Sequence, residues 1–177
     1  MTGRARCTVG AVRRSALRTA SLAWLIALAG CLGDGTTTTS TEPTGLVPCP
    51  TATAQAASAT IEPATGGAVV IGATNVQLPA GAVTAPTLIS LELPASSYDE
   101  IRLTANGLST FVLALPATVT LDYAHCTTPG LDQRSLTVWR IDPQTKARLE
   151  DMHGADQKSR RVVTFETTHF SSYALAY

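Results

Sequence analysis

The sequence predicts an all-β protein: a single antiparallel β-sandwich behind a cleaved leader and a flexible Thr/Ser/Pro-rich tether. Three observations carry that expectation. From about Thr60 onward, apolar residues recur at every second position in short runs, the period of strands with one buried face. Turn-forming clusters separate the runs: Gly66-Gly67, Pro79-Ala80-Gly81, Asn106-Gly107, Thr127-Thr128-Pro129-Gly130, Asp142-Pro143-Gln144-Thr145 and His153-Gly154. No segment of this half sustains a helical period, and many short strands with frequent turns point to a sandwich or barrel.

Residues 1–30 read as a leader. Arg4, Arg6, Arg13, Arg14 and Arg18 precede an apolar stretch from Ala20 to Ala29, with no acid before Asp34. That stretch is too short to cross a bilayer core of about 30 Å, which takes roughly 20 apolar residues. A basic start, a short apolar core and a small-residue exit make a secretory signal. Leu28-Ala29-Gly30-Cys31 closes it and resembles a bacterial lipoprotein signal, cut just before a cysteine that then carries lipid. The resemblance implies several acyl chains on Cys31, palmitate among them, and so a stable membrane anchor. Leu32 follows with no adjacent Asp, which by analogy with enterobacterial sorting implies the outer membrane. Arg13-Arg14 leaves twin-arginine export open beside the general route, although Ser15-Ala16-Leu17 matches the former poorly.

Residues 31–59 are the lipidated cysteine and the tether. Thr36-Thr37-Thr38-Thr39-Ser40-Thr41 is low in complexity, and large apolar side chains are almost absent. Such a stretch buries too little surface to offset its ordering entropy. If Cys49 is held to the domain, the free part is 32–48, with a root-mean-square span of about 20–25 Å.

Charge narrows the partners. The chain has 13 basic and 13 acidic residues, but loss of the five leader arginines leaves 8 basic against 13 acidic. A mildly acidic chain without a basic stripe excludes nucleic acid as a partner. The expected partners are the membrane, through Cys31, and an envelope protein or glycan. Four cysteines reduce to one pair, since Cys7 leaves with the leader and Cys31 is acylated. Cys49 and Cys126 are therefore expected to be bonded in a compartment that permits disulfides. Zinc is the rival reading, because His125 adjoins Cys126; there is no CxxC and no second close ligand pair. No metal and no cofactor are expected.

Residues 60–177 form the domain. Ile89/Leu91/Leu93, Val119/Leu121/Tyr123, Leu136/Val138, Val163/Phe165 and Tyr173/Leu175/Tyr177 alternate with polar or small residues. Asp142-Pro143-Gln144-Thr145 predicts a hairpin between 135–141 and 147–152, because Pro presets φ and Asp bonds the turn backbone. Asn106-Gly107 suits a two-residue hairpin turn between 101–104 and 108–113. Lys158-Ser159-Arg160-Arg161 reads as a charged loop leading into a strand.

Two signatures and the segment between them add a resemblance. Gly66-Gly67-Ala68-Val69 is followed by Val76-Gln77-Leu78-Pro79-Ala80-Gly81-Ala82-Val83 and Pro86-Thr87; Phe111 and Pro116-Ala117-Thr118-Val119-Thr120-Leu121-Asp122-Tyr123 come next; Thr168-His169-Phe170-Ser171-Ser172-Tyr173-Ala174 comes last. This order, from about Ile61 to Tyr177, resembles the ZU-five domain, a β-sandwich of ankyrins, netrin receptors and death-domain adaptors, and is closest to its bacterial lipoprotein versions. Independently of the family, Gly66, Gly67 and Gly81 suit positive φ or close approach. Pro79 and Pro116 belong at strand starts, edges or bulges, and Phe170 should turn inward.

Some ZU-five relatives cleave themselves at His-Phe-Ser. The resemblance would make Ser171 Oγ the nucleophile on the Phe170 carbonyl, assisted by His169. Cleavage here would free only Ser171–Tyr177, so the primary expectation is a structural role for this motif. A serine hydrolase finds no G-x-S-x-G, and His125, His153 and His169 fall in separate turns. Asp99-Glu100 and Glu150-Asp151 read as solvated strand ends rather than paired catalytic carboxylates. Trp139, on the opposite strand face from Leu136 and Val138, is either buried in a central strand or exposed beside Arg140 or Tyr98 as a contact surface. The resulting expectation is a lipid-anchored, non-catalytic envelope module, with self-cleavage between Phe170 and Ser171 as the alternative.

Overall fold

The computed structural model describes residues 45–177. The leader, Cys31 and the tether up to residue 44 lie outside the described residues. Thirteen strands follow in order: β1 (Pro48–Thr51), β2 (Gln55–Ile61), β3 (Gly67–Ile71), β4 (Thr74–Leu78), β5 (Thr87–Leu93), β6 (Ser96–Tyr98), β7 (Glu100–Ala105), β8 (Val112–Asp122), β9 (Thr137–Ile141), β10 (Arg148–Asp151), β11 (Ala155–Gln157), β12 (Val162–His169) and β13 (Ser172–Ala176). One antiparallel sheet runs β10-β9-β13-β7-β5-β2, a second runs β11-β12-β8-β4-β3, and β1 pairs with β6. This is the all-β sandwich that the alternation predicts.

The period-two residues make the core. Ile89, Leu91, Leu103, Val138, Tyr173 and Leu175 from the six-stranded sheet meet Val69, Val76, Val119, Leu121, Val163 and Phe165 from the five-stranded sheet in one buried cluster. Burial of each Val, Leu, Ile or Phe contributes about 1.5–3 kcal/mol, so this shared layer is what holds the two sheets together. β13 is buried on both faces, because Ala174 and Ala176 join Leu46 and Ile141 in a second cluster on the other side.

The domain starts earlier than residue 60. β1 and most of β2 lie within the stretch, 31–59, that composition assigns to the tether. β2 is built from small residues, yet all seven pair with β5, and Ala57 and Ala59 pack on the core. A ladder on an edge strand needs backbone partners rather than bulk, so apolar content underrates it.

The Asp142 hairpin forms as expected. β9 pairs with β10, and Asp142 Oδ1 accepts from the amides of Gln144 (2.9 Å) and Thr145 (2.7 Å). The Asn106-Gly107 turn also forms, with φ of 50° and 79° and reciprocal hydrogen bonds between Ala105 and Leu108. Its second arm differs from the expectation, because β8 crosses to the other sheet instead of pairing back on β7. Pro116 falls where the β8–β12 register shifts between Thr167 and His169, the kind of break that a residue without an amide donor tolerates.

Gly66 is the tightest of the turn glycines. Its φ is +67°, and a Cβ there would sit 2.3 Å from the Leu78 carbonyl oxygen. Gly66→Ala should therefore cost about 2–4 kcal/mol through strain and clash. Gly72→Ala, at φ +59° with nothing within 4 Å of the added carbon, should cost only about 1–2 kcal/mol. Urea denaturation of both variants checks the contrast, and equal losses would contradict it.

Candidate functional site

The chemistry-bearing residues converge at one end of the sandwich, where β1, β7 and the turn after β8 meet. Asp99 lies just before β7. Its amide donates to Val47 O (3.4 Å), and its carbonyl accepts from Leu175 N (2.9 Å). Those bonds fix its backbone between the chain leading into β1 and the central strand β13. The turn after β8 is closed by Ala124 N donating to Asp122 Oδ1 (3.0 Å) and Cys126 N donating to Tyr123 O (3.0 Å). It carries His125 outward and Cys126 inward.

Cys126 is bonded to Cys49 of β1, with Cα atoms 5.1 Å apart, as the cysteine arithmetic predicts. Around that disulfide, Asp99 Oδ2 lies 3.8 Å from Cys126 Sγ. Asp99 Oδ1 lies 3.9 Å from His125 Nε2, and His125 Nε2 lies 3.9 Å from Cys126 Sγ. The carboxyl group is 1% exposed, whereas the imidazole is 45% exposed. Asp99 Oδ1 has no hydrogen-bond partner. A cleft of about 280 Å³ opens beside the imidazole, lined by His125, Asp122, Thr74, Thr51 and Leu93 among others.

Burial pushes the Asp99 carboxyl up to about 8, and the neighbouring carboxylates of Asp122 and Glu100 push in the same direction. Asp99 is therefore mostly a neutral acid at pH 7. Asp99 and Glu100 correct the expectation of a solvated strand end. Glu100 is also buried, and Lys146 Nζ donates to both of its carboxylate oxygens at 2.7 Å. The lysine arrives from the Asp142 turn, distant in sequence, so local pattern does not reveal the pair.

The other expected site residues fall elsewhere. Trp139 and Tyr98 are half-buried, and both pack on the cluster of Leu46, Ile141, Ala174 and Ala176. Trp139 is neither fully buried nor bare, and the Arg148 guanidinium stacks over its ring at 4.8 Å. Arg140 Nε donates to Glu150 Oε2 at 2.9 Å. Phe170 is buried as expected, against Phe111. His169 turns its Nε2 to within 3.7 Å of Glu150 Oε2, and its carbonyl accepts from the Tyr173 hydroxyl. Ser171 is half-buried, with its carbonyl accepting from Leu103 N (2.9 Å). His153 faces Asp151 at 3.8 Å. Each of the three histidines thus faces a carboxylate, and among the described residues none is hydrogen-bonded to a serine hydroxyl.

Asp99 is the residue that sequence reasoning missed. A polar pair opening a strand looks solvated, and its only sequence cue is position, immediately ahead of the alternating Ile101 and Leu103. No family model matches this chain, and no curated protein matches it.

Proposed function

We propose that this chain is a lipid-anchored cell-envelope protein whose ZU-five-like β-sandwich serves as a non-catalytic binding or structural module. The buried Cys49–Cys126 disulfide carries the reading. Structural disulfides belong to oxidising compartments outside the cytoplasm, which agrees with the secretory leader and the lipoprotein-type Leu28-Ala29-Gly30-Cys31. The outer membrane is the proposed location, with Cys31 as the anchor. The outer face of the six-stranded sheet supplies the proposed contact surface. There Trp139 and Tyr98 flank an apolar cluster, with Arg140 and Arg148 nearby. Half-buried aromatics beside guanidinium groups suit an envelope protein or a glycan.

Fatty-acid labelling of the full chain in a bacterial host tests the anchor. The expected result is label in the protein, partition into the detergent phase and a mature end at Cys31, all lost in Cys31→Ala. An unlabelled chain beginning at Met1 in the aqueous phase would overturn the proposal. Intact mass after denaturation should show no break before Ser171; two fragments there would favour self-cleavage instead.

A further inference from the structure

We infer that Cys49, Cys126, His125 and Asp99 form a redox-gated zinc site: closed while the two cysteines are bonded, and open to one Zn²⁺ per chain once they are reduced. The four donor atoms lie within 4.8 Å of one another. Two thiolates, one imidazole and one carboxylate are a ligand set that suits tetrahedral zinc.

Three corners are already close to place. Asp99 Oδ2 lies 3.8 Å from Cys126 Sγ, Asp99 Oδ1 lies 3.9 Å from His125 Nε2, and His125 Nε2 lies 3.9 Å from Cys126 Sγ, so the carboxyl group meets the sulfur and the imidazole through different oxygens. A tetrahedron built with zinc bonds of about 2.0–2.3 Å has edges of about 3.3–3.8 Å. With one ligand atom per residue the donors lie within 4.8 Å of one another, so closing on an ion requires a turn of the Asp99 carboxyl group and shifts of at most about 1–1.5 Å at those corners. The larger movement is at Cys49, whose sulfur must part from Cys126 to an edge of about 3.8 Å. Asp99 Oδ1 gives an independent indication. It is an unpartnered oxygen on a carboxyl group that is 1% exposed, and it faces the imidazole across the same gap. Buried polar atoms are nearly always satisfied, so an orphan needs a reason; a cation would supply its partner. His125, alone of the four, lines a solvent-open cleft, so an ion would be met first by the imidazole.

The chemistry balances with a dithiol as reductant. It gives two electrons and two protons to the Cys49–Cys126 bond and leaves as its own disulfide. Zn²⁺ then displaces the two thiol protons and, where Asp99 is protonated, its carboxyl proton. The neutral imidazole gives the Nε2 lone pair. In the bonded form the sulfurs carry no charge to offer a cation, so the disulfide is the gate. The site stands independently of the lipid anchor.

Cobalt(II) titration of the full chain in detergent tests it, after phosphine reduction and desalting without oxygen. The reduced protein should bind one Co²⁺ with thiolate-to-cobalt charge-transfer absorption and tetrahedral ligand-field bands, both displaced by Zn²⁺. The oxidised protein should show neither. Asp99→Asn and His125→Ala should each weaken Co²⁺ binding at least about tenfold. His125 is half-exposed, so its truncation leaves the core intact. If reduction loosens the fold, Co²⁺ should restore the sheet circular dichroism. Equal binding before and after reduction, no binding by the reduced chain, or unchanged affinity in both variants would each overturn the inference.

Discussion

Asp99→Asn is expected to flatten the pH dependence of stability of the disulfide-bonded protein and to make it more stable than the parent at pH 8.5. Burial is the main cause, since the carboxyl group is pushed from its ordinary 3.8 up to about 8 in the folded state. The acidic neighbours Asp122 and Glu100 push in the same direction. The other groups near it are His125, whose Nε2 stands 3.9 Å away, and Lys146, which is committed to Glu100. Between about pH 4 and 8 the folded chain holds a proton that the unfolded chain has released. The folded state therefore binds more protons, and stability falls as pH rises through that window. A tenfold change in proton affinity is worth about 1.36 kcal/mol, so the whole window has a ceiling of about 6 kcal/mol. Asparagine keeps the shape and cannot ionise. Urea denaturation under non-reducing conditions should give the two proteins their smallest difference at about pH 3.5, below the ordinary carboxyl value of 3.8. At pH 8.5 the parent should have lost several kcal/mol more than Asp99→Asn. Parallel pH profiles would show that Asp99 is solvated and ionised in the fold.

Asp99 also marks the boundary of what the sequence made legible. Alternation located β5, β8, β9, β12 and β13, because a strand with one buried face writes its geometry into successive side chains. The turns at Asn106 and Asp142 were legible because φ and side-chain caps are local properties. The disulfide followed from counting, once two cysteines were assigned elsewhere. What stayed hidden depends on partners distant in the chain. β2 is small residues on a ladder, and only β5 makes it a strand. The Asn106-Gly107 turn forms, but β8 pairs with β4 and β12, a choice that no local signal carries. Asp99 and Glu100 resemble solvent-facing acids until the Asp142 turn, the Cys126 turn and the chain before β1 close over them. The contact surface was half legible: Trp139 and Tyr98 do share a cluster, and the arginine over the indole ring is Arg148.

The paired substitution Cys49→Ala/Cys126→Ala should lower stability by about 2–4.5 kcal/mol, the upper figure being the chain-entropy value for the loop it closes. The cysteines are 77 positions apart, so the link restricts much of the unfolded domain. Its structural effect should be local. β1 is held to β6 through two paired positions with a register shift between them, by Thr128 Oγ1 donating to Pro48 O, and by Val47 N donating to Leu175 O at 2.9 Å. Without the covalent link, β1 should open before the two main sheets do, and amide exchange at positions 47, 49 and 51 and at 96–98 should quicken while β5, β8 and β13 stay protected. Opening β1 also hydrates Asp99, whose elevated pKa depends first on burial. The cysteine-free protein should therefore lose part of the pH dependence described for the parent. Adding Asp99→Asn to it should gain less than the same change gains in the parent, a non-additivity expected of groups in contact. A stability change below about 1 kcal/mol with β1 amides still protected would mean that backbone bonds alone hold this end of the sandwich. Full additivity would separate the acid from the disulfide.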